Sequence, residues 1–260
     1  VFLSKCSTDS VKAAAQSLIA GHLVAFPTET VYGLGADATN ESAIAKIYKA
    51  KGRPADHPLI VHIASIDAID QWAQDISEYA INLARDFWPG PMTLVFNRSD
   101  LAKDFITGNQ NTVGLRVPNQ SIALALLKEF EALGGKGIAA PSANRFGAVS
   151  PTTAQAVKDE LENYLNQAND IILDGGPCQV GVESTIIDCT SQTPQILRLG
   201  AITKEMIQES TGLLVIDEAP TDIRVSGSLE SHYSPNAKVV LDTYPTSGEG
   251  FIAIDSIQTP

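Results

Sequence analysis

The chain is short of cysteine, short of positive charge, and has no long apolar run. Its three cysteines, Cys6, Cys178 and Cys189, are odd in number and form no CxxC pair. That argues against both a disulfide framework and a structural zinc site. Reduced thiols in a cytoplasmic protein are the expectation. Lys and Arg total 18 against 30 Asp and Glu, a formal net charge of −12. Nucleic-acid binders draw affinity from a basic surface, so this balance weighs against that class while leaving room for a local basic patch. No apolar run reaches the roughly 20 residues of a membrane-spanning helix. The first residues show no basic region followed by a long apolar stretch, so neither a signal peptide nor a membrane partner is expected.

Several catalytic signatures are missing too. The four histidines, His22, His57, His62 and His232, do not pair at metalloprotease spacing. No GxSxG marks a nucleophile elbow, and no GxGxxG or Walker loop is present. What the chain does have is 44% apolar and 18% charged residues, the composition of a globular protein. Strand-like and helix-like segments alternate with short breaks, which predicts an α/β fold.

Strands are predicted at Leu23–Phe26, Leu59–Ile63, Met92–Phe96, Val113–Val117, Ile138–Ala140, Ile171–Asp174, Thr185–Asp188 and Ile196–Leu199. Helices are predicted at Glu41–Ala50 behind an Asn40 cap, Ser77–Phe87, Ile122–Phe130, from Thr152 or Thr153 to about Leu165, and Thr203–Ser210. After about Ile216 the chain turns polar and rich in turn residues. Two strand-like runs follow, Val239–Leu241 and Phe251–Ile254, too few to make a stable domain alone.

Three constellations could carry chemistry. Lys46, Lys49, Lys51 and Arg53 cluster at a predicted helix end in an otherwise acidic chain. They read either as favourable charges on a helix C-terminus or as a polyphosphate clamp, a point charge beside a two-pronged donor. Pro141-Ser142-Ala143-Asn144 follows a strand. It is either a simple turn or part of the crevice where open α/β sheets bind ligands. Pro27–Gly35 also follows a strand. It reads as a turn, or as backbone that approaches a small ligand closely. His62 reads as a half-buried strand histidine. Arg116 interrupts an apolar strand, which calls for a bound carboxylate or a buried acid as its partner.

Taken in order, these blocks resemble the YrdC/Sua5 family. The resemblance covers Phe26–Gly35, Lys51-Gly52-Arg53-Pro54 with Pro58–His62, and Pro89–Leu94. It continues through Val113–Pro118, Pro141–Asn144, Gly181–Ile186 and Ile196–Gly200, and so runs from about residue 10 to residue 205. It implies an α/β fold with a twisted, open, mixed sheet and flanking helices around a positively charged crevice. A linker and the start of a small C-terminal α/β segment would follow. The implied division is 1–212 for the catalytic domain, 213–236 for a linker that closes as a lid, and 237–260 for part of a longer C-terminal domain.

The activity implied is that of an L-threonylcarbamoyladenylate synthase, a nucleotidyltransferase. It joins L-threonine, bicarbonate and ATP, with Mg²⁺ bridging the phosphates and no protein metal site. The product would serve a downstream tRNA threonylcarbamoyl transferase complex in N6-threonylcarbamoyladenosine modification. By the same resemblance Lys51, Arg53, Ser142 and Asn144 form the paired catalytic signature. Arg53, His57, Thr112, Ser142, Ser150, Arg198 and Tyr233 would contact ATP, with His57 standing where the family commonly has Asn. Thr30, His62, Arg116, Ala140 and Ser184 would line the threonine pocket. The competing expectation is a non-catalytic module of the same fold that holds double-stranded RNA or tRNA.

Overall fold

The computed structural model describes residues 2–217, 222–227 and Val240. Apart from Val240, the predicted strands of the last 24 residues lie outside this range, as does Tyr233.

The first half contributes β1 (Phe2–Lys5), α1 (Thr8–Ile19), β2 (Val24–Phe26), β3 (Gly33–Asp37), α2 (Glu41–Lys51) and β4 (Ile60–His62). Then come α3 (Ile69–Trp72), β5 (Ala73–Gln74), α4 (Glu78–Phe87), β6 (Met92–Arg98) and α5 (Asp104–Thr107). The second half holds β7 (Thr112–Arg116), α6 (Ser121–Ala132), β8 (Ile138–Ala139), α7 (Ala154–Leu161) and β9 (Ile171–Asp174). It ends with β10 (Thr185–Asp188), β11 (Gln195–Arg198) and α8 (Lys204–Thr211). Among the described residues no helix is long and apolar enough to cross a membrane.

The strands make one mixed sheet in the order β1-β9-β2-β3-β8-β4-β7-β6-β10-β11, with β5 on β6. It is the open, mixed sheet with flanking helices that the resemblance implies. Successive side chains of a strand point to opposite faces. Val24 and Phe26 therefore join one apolar cluster with Leu18, Leu126 and Phe130 from α1 and α6. Ala25 joins the other, with Ile44 and Ile47 from α2, Leu83 from α4 and Val157 from α7. Burial on both faces explains why the central strands read as continuous apolar runs rather than as alternating patterns.

Local chemistry fixes the elements that carry the site. Asn40 caps α2, accepting from the Ala43 N–H at 3.1 Å. Gly52 ends that helix in the left-handed region at φ 63°, a conformation that costs glycine little. Thr153, one of the two expected caps, is the one that accepts from Ala156 N. The last three residues of the Pro27–Gly35 segment are not a turn but the start of β3, which pairs with β2 and β8. Its glycines hid the strand, yet they are what allows the pairing. A Cβ on Gly35 would sit 2.8 Å from both Ile138 and Phe26. The strand β1 and the helix α1 carry no motif and are found only in the structure.

The register between parallel β4 and β7 sets His62 opposite Arg116. On its other side His62 faces Ile138 of antiparallel β8. Two polar side chains thus arrive side by side at strand ends, with Ala140 and Pro141 next along the chain from β8.

Candidate active site

A cleft opens at the C-terminal ends of β2, β4, β7 and β8, where open α/β sheets bind ligands. Its lining includes Thr28, Thr30, Arg53, His62, Arg116, Ala140, Ser142, Glu183, Ser184, Arg198 and Ser226. Eight residues singled out in the sequence meet there: Thr30, Arg53, His62, Arg116, Ala140, Ser142, Ser184 and Arg198.

At one end Arg116 is held on three sides. Its Nη2 donates to Glu29 Oε1 at 2.6 Å and to Thr30 Oγ1 at 3.0 Å, and its Nε donates to the Gly90 carbonyl at 3.3 Å. The other Glu29 oxygen accepts from the Asn119 N–H at 2.9 Å. Arg116 is 4% exposed and Glu29 also 4%. Burial lowers the Arg116 pKa and the Glu29 charge opposes that shift. Of the two partners considered for Arg116, a buried acid is therefore present. His62 lies beside this pair, edge-on to Phe26. Its pKa falls to about 3, first through burial and then through the Arg116 charge. The ring is neutral, and its buried Nδ1 has no hydrogen-bond partner among the described residues.

At the other end are Arg53 and Arg198. Arg53 Nη2 donates to the Pro58 carbonyl and to Ser226 Oγ, both at 2.9 Å. Arg53 Nε is buried without a partner among the described residues. Burial lowers the Arg53 pKa. Arg198 pairs with Glu183 Oε2 and donates to the carbonyls of Ser184 and Ser226 and to Ser184 Oγ at 3.0 Å. Ser150 Oγ donates to Glu183 Oε1 at 2.7 Å. Ser226 belongs to the predicted linker and lies against both arginines.

Lys51 stands behind this surface at 2% exposure. Its Nζ donates at 2.6 Å to the carbonyls of Ser142 and Asn144. Burial, then the neighbouring Arg53 charge, brings its pKa down to about 7. The KxR and SxN segments are thus physically joined, with the lysine gripping the serine loop from below. A reciprocal bond runs from the Phe146 N–H to the Lys51 carbonyl, at 2.8 Å. Asn144 Nδ2 donates to the carbonyls of Arg145 and Ala148, both at 2.7 Å, and shapes that loop.

The remaining candidates lie around the cleft. Thr112 lines an adjoining hollow with Pro58, Ile60, Gly114, Val225 and Ser226. The His57 ring packs edge-on against Phe146 and is not part of the cleft lining. Sequence reasoning passed over Glu29 and Glu183. The signal for Glu29 was present, because an arginine in an apolar strand needs an acid somewhere. Glu183 gave no signal until the fold brought it to Arg198. Among the described residues no three His, Cys, Asp or Glu side chains gather as a metal site.

Known proteins resemble this chain in sequence and in fold. The Sua5/YciO/YrdC family model, described as telomere recombination, matches residues 16–200. The threonylcarbamoyl-AMP synthase of Pyrococcus abyssi is 43% identical over 236 residues, covering 89% of this chain and 67% of that one. The Bacillus subtilis protein of the same name is 42% identical over 233 residues, covering 88% and 65%. The chain thus spans about two thirds of the length of these relatives. The crystal structure of Pyrococcus abyssi Sua5 complexed with L-threonine superposes with a TM-score of 0.81 at 40% identity, over 91% of this chain and 69% of that one. The chain belongs to the Sua5/YciO/YrdC family.

Proposed function

We propose that the protein is an enzyme that makes threonylcarbamoyl-AMP and pyrophosphate from L-threonine, bicarbonate and ATP. The observation that carries this reading is the convergence of Arg53, Arg116 and Arg198 on one cleft with Thr30, His62, Ser142 and Ser184. Two chemically different anions, a carboxylate and a polyphosphate, fit two cationic ends of a single site. The relatives named above point the same way.

In this reading Arg116 takes the threonine carboxylate, with Glu29 fixing its angle. Thr30 and neutral His62 read the rest of the amino acid. A hydroxyl-bearing ligand suits a ring nitrogen that otherwise has no partner. Arg53, Arg198, Ser142 and Ser150 receive the phosphates, and Thr112 receives the nucleoside in the adjoining hollow. Lys51 contributes by fixing the Ser142–Asn144 backbone.

Bicarbonate joins the amine to give a carbamate. The carbamate oxygen then attacks the α-phosphorus and pyrophosphate leaves, a nucleotidyl transfer. Such a step asks the protein for positioning and charge stabilisation above all. The described residues offer no carboxylate cluster for Mg²⁺. The ion would arrive on the triphosphate. The product is an activated carbamate suited to a transferase acting on tRNA.

The test is pyrophosphate release with each substrate omitted in turn. Release that needs all three supports the reading. Release without threonine, or none at all alongside salt-sensitive RNA binding, overturns it.

A further inference from the structure

The proposed reaction leaves one proton unassigned. Near neutral pH an amino acid carries its amine mostly as ammonium, which has no lone pair for bicarbonate. A base must act first. His62 is a poor one, being held neutral at a pKa of about 3. The guanidiniums cannot accept a proton. Lys51 is turned onto two carbonyls behind the cleft. Glu29 gives one oxygen to Arg116 and the other to the Asn119 N–H. The carboxylate that lines the cleft itself is Glu183.

Two observations set Glu183 apart. The first is its place among the charges. It pairs with Arg198 across the β11 end. Its negative charge also acts on Lys51 and Arg53 at the α2 end and on Arg116 of β7. The second is the identity of its partners. Ser150 Oγ donates to one of its oxygens and Arg198 Nη1 to the other, and these two donors are the ones expected to contact ATP. Phosphate oxygens and a carboxylate want the same donors in the same geometry.

We propose that Glu183 is the base that activates the substrate amine, and that its basicity rises when nucleotide phosphates draw Arg198 and Ser150 away from it. The proposal rests on the adenylate-forming reading above. A carboxylate held by a guanidinium is a weak base, and one released from it is stronger. The carboxylate, no longer neutralised by Arg198, removes one proton from the threonine ammonium. The amine lone pair then forms a C–N bond to the bicarbonate carbon. A C–O bond breaks, and the departing hydroxyl leaves as water with the second amine proton. Glu183 returns its proton to solvent. Amine activation is thereby tied to nucleotide occupancy.

Glu183→Gln and Glu183→Asp test this, with ATP binding measured by calorimetry, turnover by pyrophosphate release across pH, and folding by circular dichroism. The glutamine variant should bind ATP at least as tightly as wild type, because a competitor for Arg198 has lost its charge. Its turnover at neutral pH should fall by at least roughly a hundredfold and recover as rising pH frees the amine without help. The aspartate variant should be faster than the glutamine variant and keep the wild-type pH profile. Turnover of the glutamine variant within about threefold of wild type, or weaker ATP binding, overturns the proposal. If the glutamine variant does not fold, aspartate decides. Slower turnover with undiminished ATP affinity supports the base, and unchanged turnover or lost affinity overturns it. Wild-type protein that releases no pyrophosphate would instead overturn the reaction reading.

Discussion

The two ends of the cleft hold their arginines in different ways. Arg116 ends β7, and its acid, Glu29, comes from the loop that follows β2, a strand further along the sheet. Both are almost fully buried, and the second Glu29 oxygen is tied to backbone. Arg198 sits at a strand end and leans on Glu183, Ser184 and Ser226, and Arg53 shares Ser226. One end is a preset grip whose partners cannot leave without burying a bare charge. The other is a set of side-chain and backbone oxygens that an incoming anion would replace in the proposed reaction. Under the proposed function the site must recognise a small zwitterion and then admit and release a large polyanion, which calls for both kinds of construction.

The sharpest way to break this contrast is to delete each acid. Glu29→Ala should cost about 3–5 kcal/mol in denaturant unfolding, because it strands a buried guanidinium. Glu183→Ala should cost clearly less, since Arg198 keeps the Ser184 and Ser226 oxygens. Equal losses would erase the distinction.

Next in size is the pH dependence of stability from Lys51. Its folded pKa of about 7 lies below its ordinary value of 10.5, so the unfolded chain binds more protons between those values. Stability should rise with pH across that window, by at most about 1.4 kcal/mol per unit. The gain is lost as pH falls through 7. A neutral amine still has two N–H groups for its two carbonyls, so deprotonation breaks neither bond. Lys51→Met should remove this slope relative to wild type in melts across pH 7 to 10.

The exchangeable end is probed by Arg53→Ala. It should lower pyrophosphate release at least tenfold, about 1.4 kcal/mol of barrier, while leaving threonine binding by calorimetry intact. A parallel loss of threonine affinity would mean that the two ends are one. The smallest effect belongs to Arg224→Ala. Its ion pair with Asp56 is half exposed and it also donates to the Gly108 carbonyl at 2.6 Å, so thermal unfolding should change by no more than about 1 kcal/mol.

Much of this architecture is legible in the sequence because strands buried on both faces announce themselves as apolar runs. Ile171–Asp174 and Thr185–Asp188 have the predicted bounds, and α2 starts at its predicted cap. The segment Gly33–Asp37 is not legible. Glycines required by close packing look like turn residues when nothing shows what they pack against. The site is partly legible for a similar reason. Blocks such as Lys51–Arg53 and Ser142–Asn144 are contiguous, so their proximity to a cleft can be inferred. That Lys51 faces the loop's carbonyls rather than open space depends on how α2 ends against a segment 91 residues away. Glu183 and Arg198 likewise meet only because β10 and β11 run antiparallel.

The alignment of His62 with Arg116 across β4 and β7 has an outcome for how the protein fails. A slip of one position between these strands would turn a whole side-chain set to the opposite face. His62 or Arg116, whichever lies on the strand that slipped, would leave the cleft, and an apolar neighbour would take its place beside the other. A mispaired molecule would therefore be inert rather than sloppy. Under the proposed function, quality of assembly and fidelity of substrate choice are inspected at one and the same joint.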